Sequence, residues 1–106
     1  MNILFDQGTP VPLRRALTTD SVTTVYERGW STLQNGQLLA MAEQAGFDVF
    51  ITTDQNLKYQ QQLTGRRLAI LVLGATSWPR IKPHSDAIRR VVEQLAPGAY
   101  HEFPVL

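Results

Sequence analysis

Short unbroken apolar runs alternate with stretches of helical spacing along the chain. Ile3-Leu4-Phe5 is continuous and closed by Asp6 and Gly8, which predicts a buried strand. Thr9-Pro10 reads as an N-cap followed by a first-turn proline, opening a helix to about Leu17 with Leu13, Ala16 and Leu17 on one face. Ser21 to Tyr26 is β-branched and half polar, the composition of a strand with limited burial. After a turn at Gly29, Leu33 to Ala45 carries Leu38, Leu39, Ala42 and Ala45 at helical spacing, with Asn35 as N-cap and Gly46 just past the end. Asp48 to Thr53 follows as a third strand. Asp54 then caps a helix from Gln55 to about Leu63, ended by Thr64-Gly65. Leu68 to Leu73 is the most hydrophobic run and reads as a central strand. Gly74 to Pro83 reads as a loop, Ser85 to Leu95 as an amphipathic helix, and Tyr100 to Val105 as a last strand that Pro104 confines to an edge.

The resulting βαβαβαβαβ pattern predicts a three-layer α/β/α sandwich around a mainly parallel five-stranded sheet. The half-polar second strand and the proline-bearing fifth are natural edges, and right-handed crossovers favour the order 2-1-3-4-5. That order leaves a topological switch point between strands one and three, where open α/β sheets bind ligands beyond the carboxyl ends of their strands.

With 106 residues the chain fits a single domain, 1–106. It is 43% hydrophobic and 18% charged, a globular composition. Ten Lys and Arg against nine Asp and Glu argue against gripping nucleic acid by bulk charge, so an anionic partner must be held locally. The absence of cysteine excludes disulfides, zinc–thiolate sites and a thiol nucleophile, and fits a reducing cytoplasm. No apolar run approaches the roughly 20 residues of a membrane helix, and Met1-Asn2-Ile3-Leu4-Phe5-Asp6 lacks a basic leader; neither membrane anchorage nor a signal peptide is expected.

Asp6 ends strand one, Asp54 ends strand three and Glu27 follows strand two, so the proposed order gathers three acids on one rim. Carboxylates at close range repel unless a proton or a divalent cation lies between them, and an oxygen-rich set suits magnesium or manganese. The same acids have a plainer reading: Asp54 is well placed as an N-cap, Asp6 to cap the loop around Gly8, and Glu27 as a solvated edge charge.

Asp6 after Ile3-Leu4-Phe5, a helix opening near Asn35-Gly36, and the segment Phe50-Ile51-Thr52-Thr53-Asp54-Gln55-Asn56-Leu57 together resemble the PIN-like nuclease family, in particular its small branch found beside antitoxin genes in bacteria and archaea. The resemblance runs from Asn2 to about Leu73. It implies a Mg²⁺- or Mn²⁺-dependent endoribonuclease of the toxin type, with RNA as substrate, an antitoxin protein as partner and self-association into a homodimer. It also makes Asp6 and Asp54 catalytic and metal-holding. Gln7, Asn35 and Asn56 stand where relatives often carry acids; each amide keeps an oxygen ligand and loses a negative charge. Glu43 lies eight residues beyond Asn35, about 12 Å down the helix at 1.5 Å per residue, and so at the wrong end. Glu27 is the better substitute.

Gln7, Asn35, Gln55 and Asn56 read either as contacts to bases, phosphates or metal-bound water, or as helix-cap and first-turn residues. Of the arginine doublets, Arg14-Arg15 lies on the first helix, whose start faces the crevice, and is the best placed to guide RNA. Trp30 reads as a lid over the core and Trp78, in the loop after strand four, as a contact residue. His84 and His101 show no ligand spacing. The amides at acid positions motivate a second expectation, a catalytically weak PIN-like module that binds nucleic acid or protein.

Overall fold

The computed structural model describes residues 1–60, 63 and 65–105. Five strands, β1 (Asn2–Phe5), β2 (Ser21–Thr24), β3 (Val49–Thr52), β4 (Ala69–Leu73) and β5 (Tyr100–Phe103), form one sheet. Its order is β2-β1-β3-β4-β5 and every pairing is parallel. The α-helices are α1 (Asn35–Gln44), α2 (Leu57–Gln60), α3 (Trp78–Ile81) and α4 (Ser85–Gln94). Among the described residues no helix is long and apolar enough to cross a membrane.

The two-residue period of the strands sorts the core into two layers. Ile3, Phe5, Val49, Ile51, Leu71 and Leu73 face one side and pack on Leu13, Leu17, Ile81, Ile88 and Val92. Leu4, Phe50, Ile70 and Val72 face the other, against Leu38, Leu39 and Ala42 of α1 and Leu57 of α2. The central strands β3 and β4 are buried throughout, as a parallel sheet covered on both faces requires.

Several expected elements change form. The helix expected from Thr9-Pro10 to Leu17 is a 3₁₀ segment, Val11–Ala16. Proline at 10 and 12 withholds N–H groups, and the Leu13 N–H closes on the Pro10 carbonyl at 3.1 Å, three residues back. Thr9 caps nothing; its buried hydroxyl donates to the Ile51 carbonyl at 2.8 Å. β2 stops at Thr24 because Glu27 folds back to accept the Thr24 N–H, while the Glu27 N–H donates to the Thr24 hydroxyl. Gln34, rather than Asn35, occupies the N-cap of α1. Gly46 closes α1 as expected at φ 86°, with Gly46 N–H on the Glu43 carbonyl and Phe47 N–H on that of Ala42.

The helix expected over Gln55–Leu63 is described only as Leu57–Gln60, and Thr64, its expected end, lies outside the described residues. Gly74 to Pro83 is no simple loop. It contains α3 and runs into the 3₁₀ turn Lys82–His84, each with proline in its first turn, where the missing N–H costs nothing. β5 ends at Phe103, one residue before Pro104, and is an edge strand.

Candidate functional site

The chain leaves β1 toward β2 on one side and later returns to β3 on the other, so the switch point falls between β1 and β3. Asp6 and Asp54 leave the carboxyl ends of these two strands. The Asp6 backbone N–H extends the ladder to the Ile51 carbonyl at 2.9 Å, and its own carbonyl accepts the Thr9 N–H at 3.0 Å. Its carboxylate is therefore held from a rigid stem.

Thr52, the last residue of β3, links the two acids. Its fully buried hydroxyl donates to Asp6 Oδ2 at 2.7 Å and accepts the Asp54 N–H at 3.1 Å. Asp6 Oδ1 accepts the Gln7 N–H at 2.9 Å. On Asp54, Oδ1 accepts the Asn56 N–H at 3.0 Å and Oδ2 accepts the Asn35 side-chain amide at 3.2 Å. Asn35 thus spends its side chain on Asp54 from the first turn of α1, and the structure brings Asp6, Asp54 and Asn35 together. Asp54 also makes the capping turn expected of it. Asn56 is exposed, and its backbone serves that turn.

Glu27 is engaged differently. Its Oε1 accepts both the Thr24 N–H and the Arg14 guanidinium. The Thr24 N–H first, and Arg14 second, hold its carboxyl below the usual range. Arg14 is correspondingly paired with Glu27. Both side chains line a hollow of about 380 Å³ over the ends of β1 and β2, together with Asp6, Gln7, Val11 and Tyr26. Arg15 and Trp78 meet in a separate hollow of about 450 Å³, where Lys82 joins them. Trp78 begins α3, half-buried against the core, instead of standing in a loop. The Gln55 side-chain amide donates to the Leu73 and Thr53 carbonyls, tying the end of β4 to the turn after β3. Among the described residues no group of three or more His, Asp and Glu gathers as metal ligands would.

The remaining singled-out residues serve the fold. Trp30 packs edge-on to Phe47 at 6.1 Å between centroids, under the Arg28 guanidinium at 4.5 Å, as a lid over the core. His84 stacks edge-on to Phe103, and His101 is exposed on β5. Glu43 lies at the opposite end of the sheet and accepts the Arg67 and Leu68 N–H groups. Sequence reasoning gave no site role to Tyr26 or Lys82, and quoted Thr52 without its bond to Asp6. A threonine ending a buried strand beside an acid was the available signal for Thr52; Tyr26 was absorbed into an overlong strand.

No family model matches the chain, and neither the curated proteins nor the solved structures give a match.

Proposed function

We propose that the chain is a PIN-like endoribonuclease that uses Mg²⁺ or Mn²⁺ to hydrolyse RNA phosphodiester bonds. The observation that carries this reading is the Thr52 hydroxyl, one buried group that holds the Asp6 carboxylate of one strand end and the Asp54 backbone N–H of its parallel neighbour. They stand at the switch point, the usual ligand position in an open α/β sheet. In kind, the donors fit a hard divalent ion: all are oxygens, and each carboxylate oxygen that accepts one hydrogen bond retains a further lone pair. Asp6 and Asp54 would hold the ion, with Asn35 and Asn56 at its border. When bound, such an ion activates water and offsets charge developing at phosphorus. The protein's own residues hold the geometry. Thr52 restrains Asp6, Asn35 orients Asp54, and the exposed Gln7 and the Arg14 guanidinium border the path of the strand. A cytoplasmic RNA, an antitoxin partner and a homodimer belong to the same proposal.

A second reading, a PIN-like binding module without turnover, is favoured by the engagement of Glu27 with Arg14 and Thr24, so that the third acid of the rim already has a cationic partner. Calorimetric titration with Mn²⁺ separates the two. The wild type should bind one ion, and Asp6→Asn and Asp54→Asn should each abolish it. Asn35→Asp, which sets a third acid beside Asp54 Oδ2, should tighten Mn²⁺ binding and speed RNA cleavage together. No Mn²⁺ binding by either the wild type or Asn35→Asp overturns the nuclease reading. RNA bound but left intact in Mn²⁺ leaves the binding module.

A further inference from the structure

Tyr26 is 79% exposed and Val11 53%, and both line the hollow beside Asp6. The turn that carries the ring is well braced: Arg28 N–H donates to the Thr24 carbonyl at 3.2 Å, Gly29 N–H to that of Tyr26 at 3.0 Å, and Trp30 N–H to that of Val25 at 3.0 Å. An aromatic ring carried into water on a braced turn presents an open face to a flat ligand. The polar side of the hollow has donors and acceptors to spare. Gln7 is exposed and carries both, and the partly exposed Arg14 guanidinium, paired through Nη2 with Glu27, brings a cation to the lining of the hollow.

We propose that this hollow is a nucleobase subsite, in which one base of single-stranded RNA stacks on Tyr26 while Gln7 and Arg14 meet its polar edge, next to Asp6. The ligand class rests on the nuclease reading above; the geometry of the hollow does not. Two exposed apolar side chains fall far short of the roughly 800 Å² per partner of a specific protein interface, whereas a stacked base needs only one free ring face. Bases within a duplex are already stacked, so the subsite selects single strands.

Fluorescence anisotropy with a labelled single-stranded hexaribonucleotide in EDTA reads binding without cleavage. Tyr26→Ala should weaken binding about 10- to 100-fold, and Tyr26→Phe should retain it within about twofold, since stacking uses the ring. A probe lacking its bases should bind the wild type as weakly as the intact probe binds Tyr26→Ala. An unchanged melting temperature for Tyr26→Ala, expected from the exposure of the ring, shows that the loss is not unfolding. Equal affinity of Tyr26→Ala and wild type overturns the subsite and leaves the ring to a protein contact. Absence of wild-type binding at millimolar probe also overturns it, whatever the Mn²⁺ titration gives. Tyr26-dependent binding with no Mn²⁺ site would instead sustain the subsite and remove the nuclease.

Discussion

Thr52→Val is the sharpest perturbation of the crevice, because it removes one hydroxyl at nearly constant volume from a fully buried position. Two hydrogen bonds go with it, the 2.7 Å bond to Asp6 Oδ2 and the 3.1 Å bond from the Asp54 N–H. A bond to a charged acceptor is worth about 1.5–3 kcal/mol, and a donor left unsatisfied costs about 1–3 kcal/mol. Asp6 is partly exposed and keeps the Gln7 N–H, so water recovers part of the first loss. A net cost of about 2–4 kcal/mol follows. Unfolding entropy of about 2.1 cal/mol/K per residue over 106 residues converts this to a fall in Tm of about 9–18 °C. Thr52→Ser keeps both bonds and removes one buried methyl, which costs about 1 kcal/mol, or about 5 °C. The assay is paired calorimetric melting of the three proteins at neutral pH. If Thr52→Val melts no lower than Thr52→Ser, the hydroxyl does not couple β1 to β3, and the account of the crevice fails.

Gly74→Ala should cost about 1–3 kcal/mol by urea unfolding. A Cβ there would lie 2.9 Å from the Val105 nitrogen and 3.2 Å from the Phe103 oxygen, so β5 would have to shift; an unchanged midpoint refutes the close approach. Glu43→Ala should also cost about 1–3 kcal/mol, since it frees the Arg67 and Leu68 N–H groups beside the start of β4. By contrast, Glu93→Ala, which removes only the exposed pair with Arg89, should stay within about 0.5 kcal/mol. Tyr100 is pushed up from 10.0 to about 12, first by burial and then by its hydrogen bond to Glu102. The fold therefore holds this proton more tightly than the unfolded chain does, and the associated stability is intact below pH 10 and lost between pH 10 and about 12. Alkaline ultraviolet titration should show one phenol ionising at about 12, and Glu102→Gln should lower that step without returning it to 10.0, because burial remains.

The sheet was legible because every strand is a run bounded by turn residues, and because two of those runs, Ser21–Thr24 and Tyr100–Phe103, are too polar or too close to a proline to be central. The order β2-β1-β3-β4-β5 follows from those edges and from handedness. The short helices were not legible. α3 has four residues, and its stability comes from Ile81 and Trp78 meeting the core rather than from propensity, so no helical period marks it within Gly74 to Pro83. At the site, Asp6 and Asp54 could be found from their places at strand ends. The bond from Thr52 to Asp6 was harder to read, since a threonine at the end of a strand is equally a β-former, and only the register of Phe5 with Ile51 sets it against Asp6. Glu27, expected on the same rim, lines one hollow with Asp6 and is paired there with Arg14.

The acids differ in what answers them: Asp20 meets the terminal ammonium, and Asp48, at the far end of the sheet, accepts the Asn2 backbone N–H. Glu27, Glu43, Glu93 and Glu102 each meet an Arg or Lys, so their charge is answered within the protein. Among the described residues, the donors to Asp6 and Asp54 are the Thr52 hydroxyl, the Asn35 amide and the backbone N–H groups of Gln7 and Asn56, none of them cationic. Helix capping explains the Asn56 contact alone. It gives no reason for Thr52 to reach across from β3 to Asp6, or for Asn35 to spend its side chain on Asp54 when Gln34 holds the N-cap position. Neutral donors orient a carboxylate without cancelling its charge, which is what a pair that holds an external cation needs and what an internal ion pair would destroy. Exchanging Asn35 for aspartate is therefore the decisive substitution. It replaces an orienting donor by a repelling charge, which either a shared proton or a bound cation offsets, and Mn²⁺ titration at neutral pH tells the two apart.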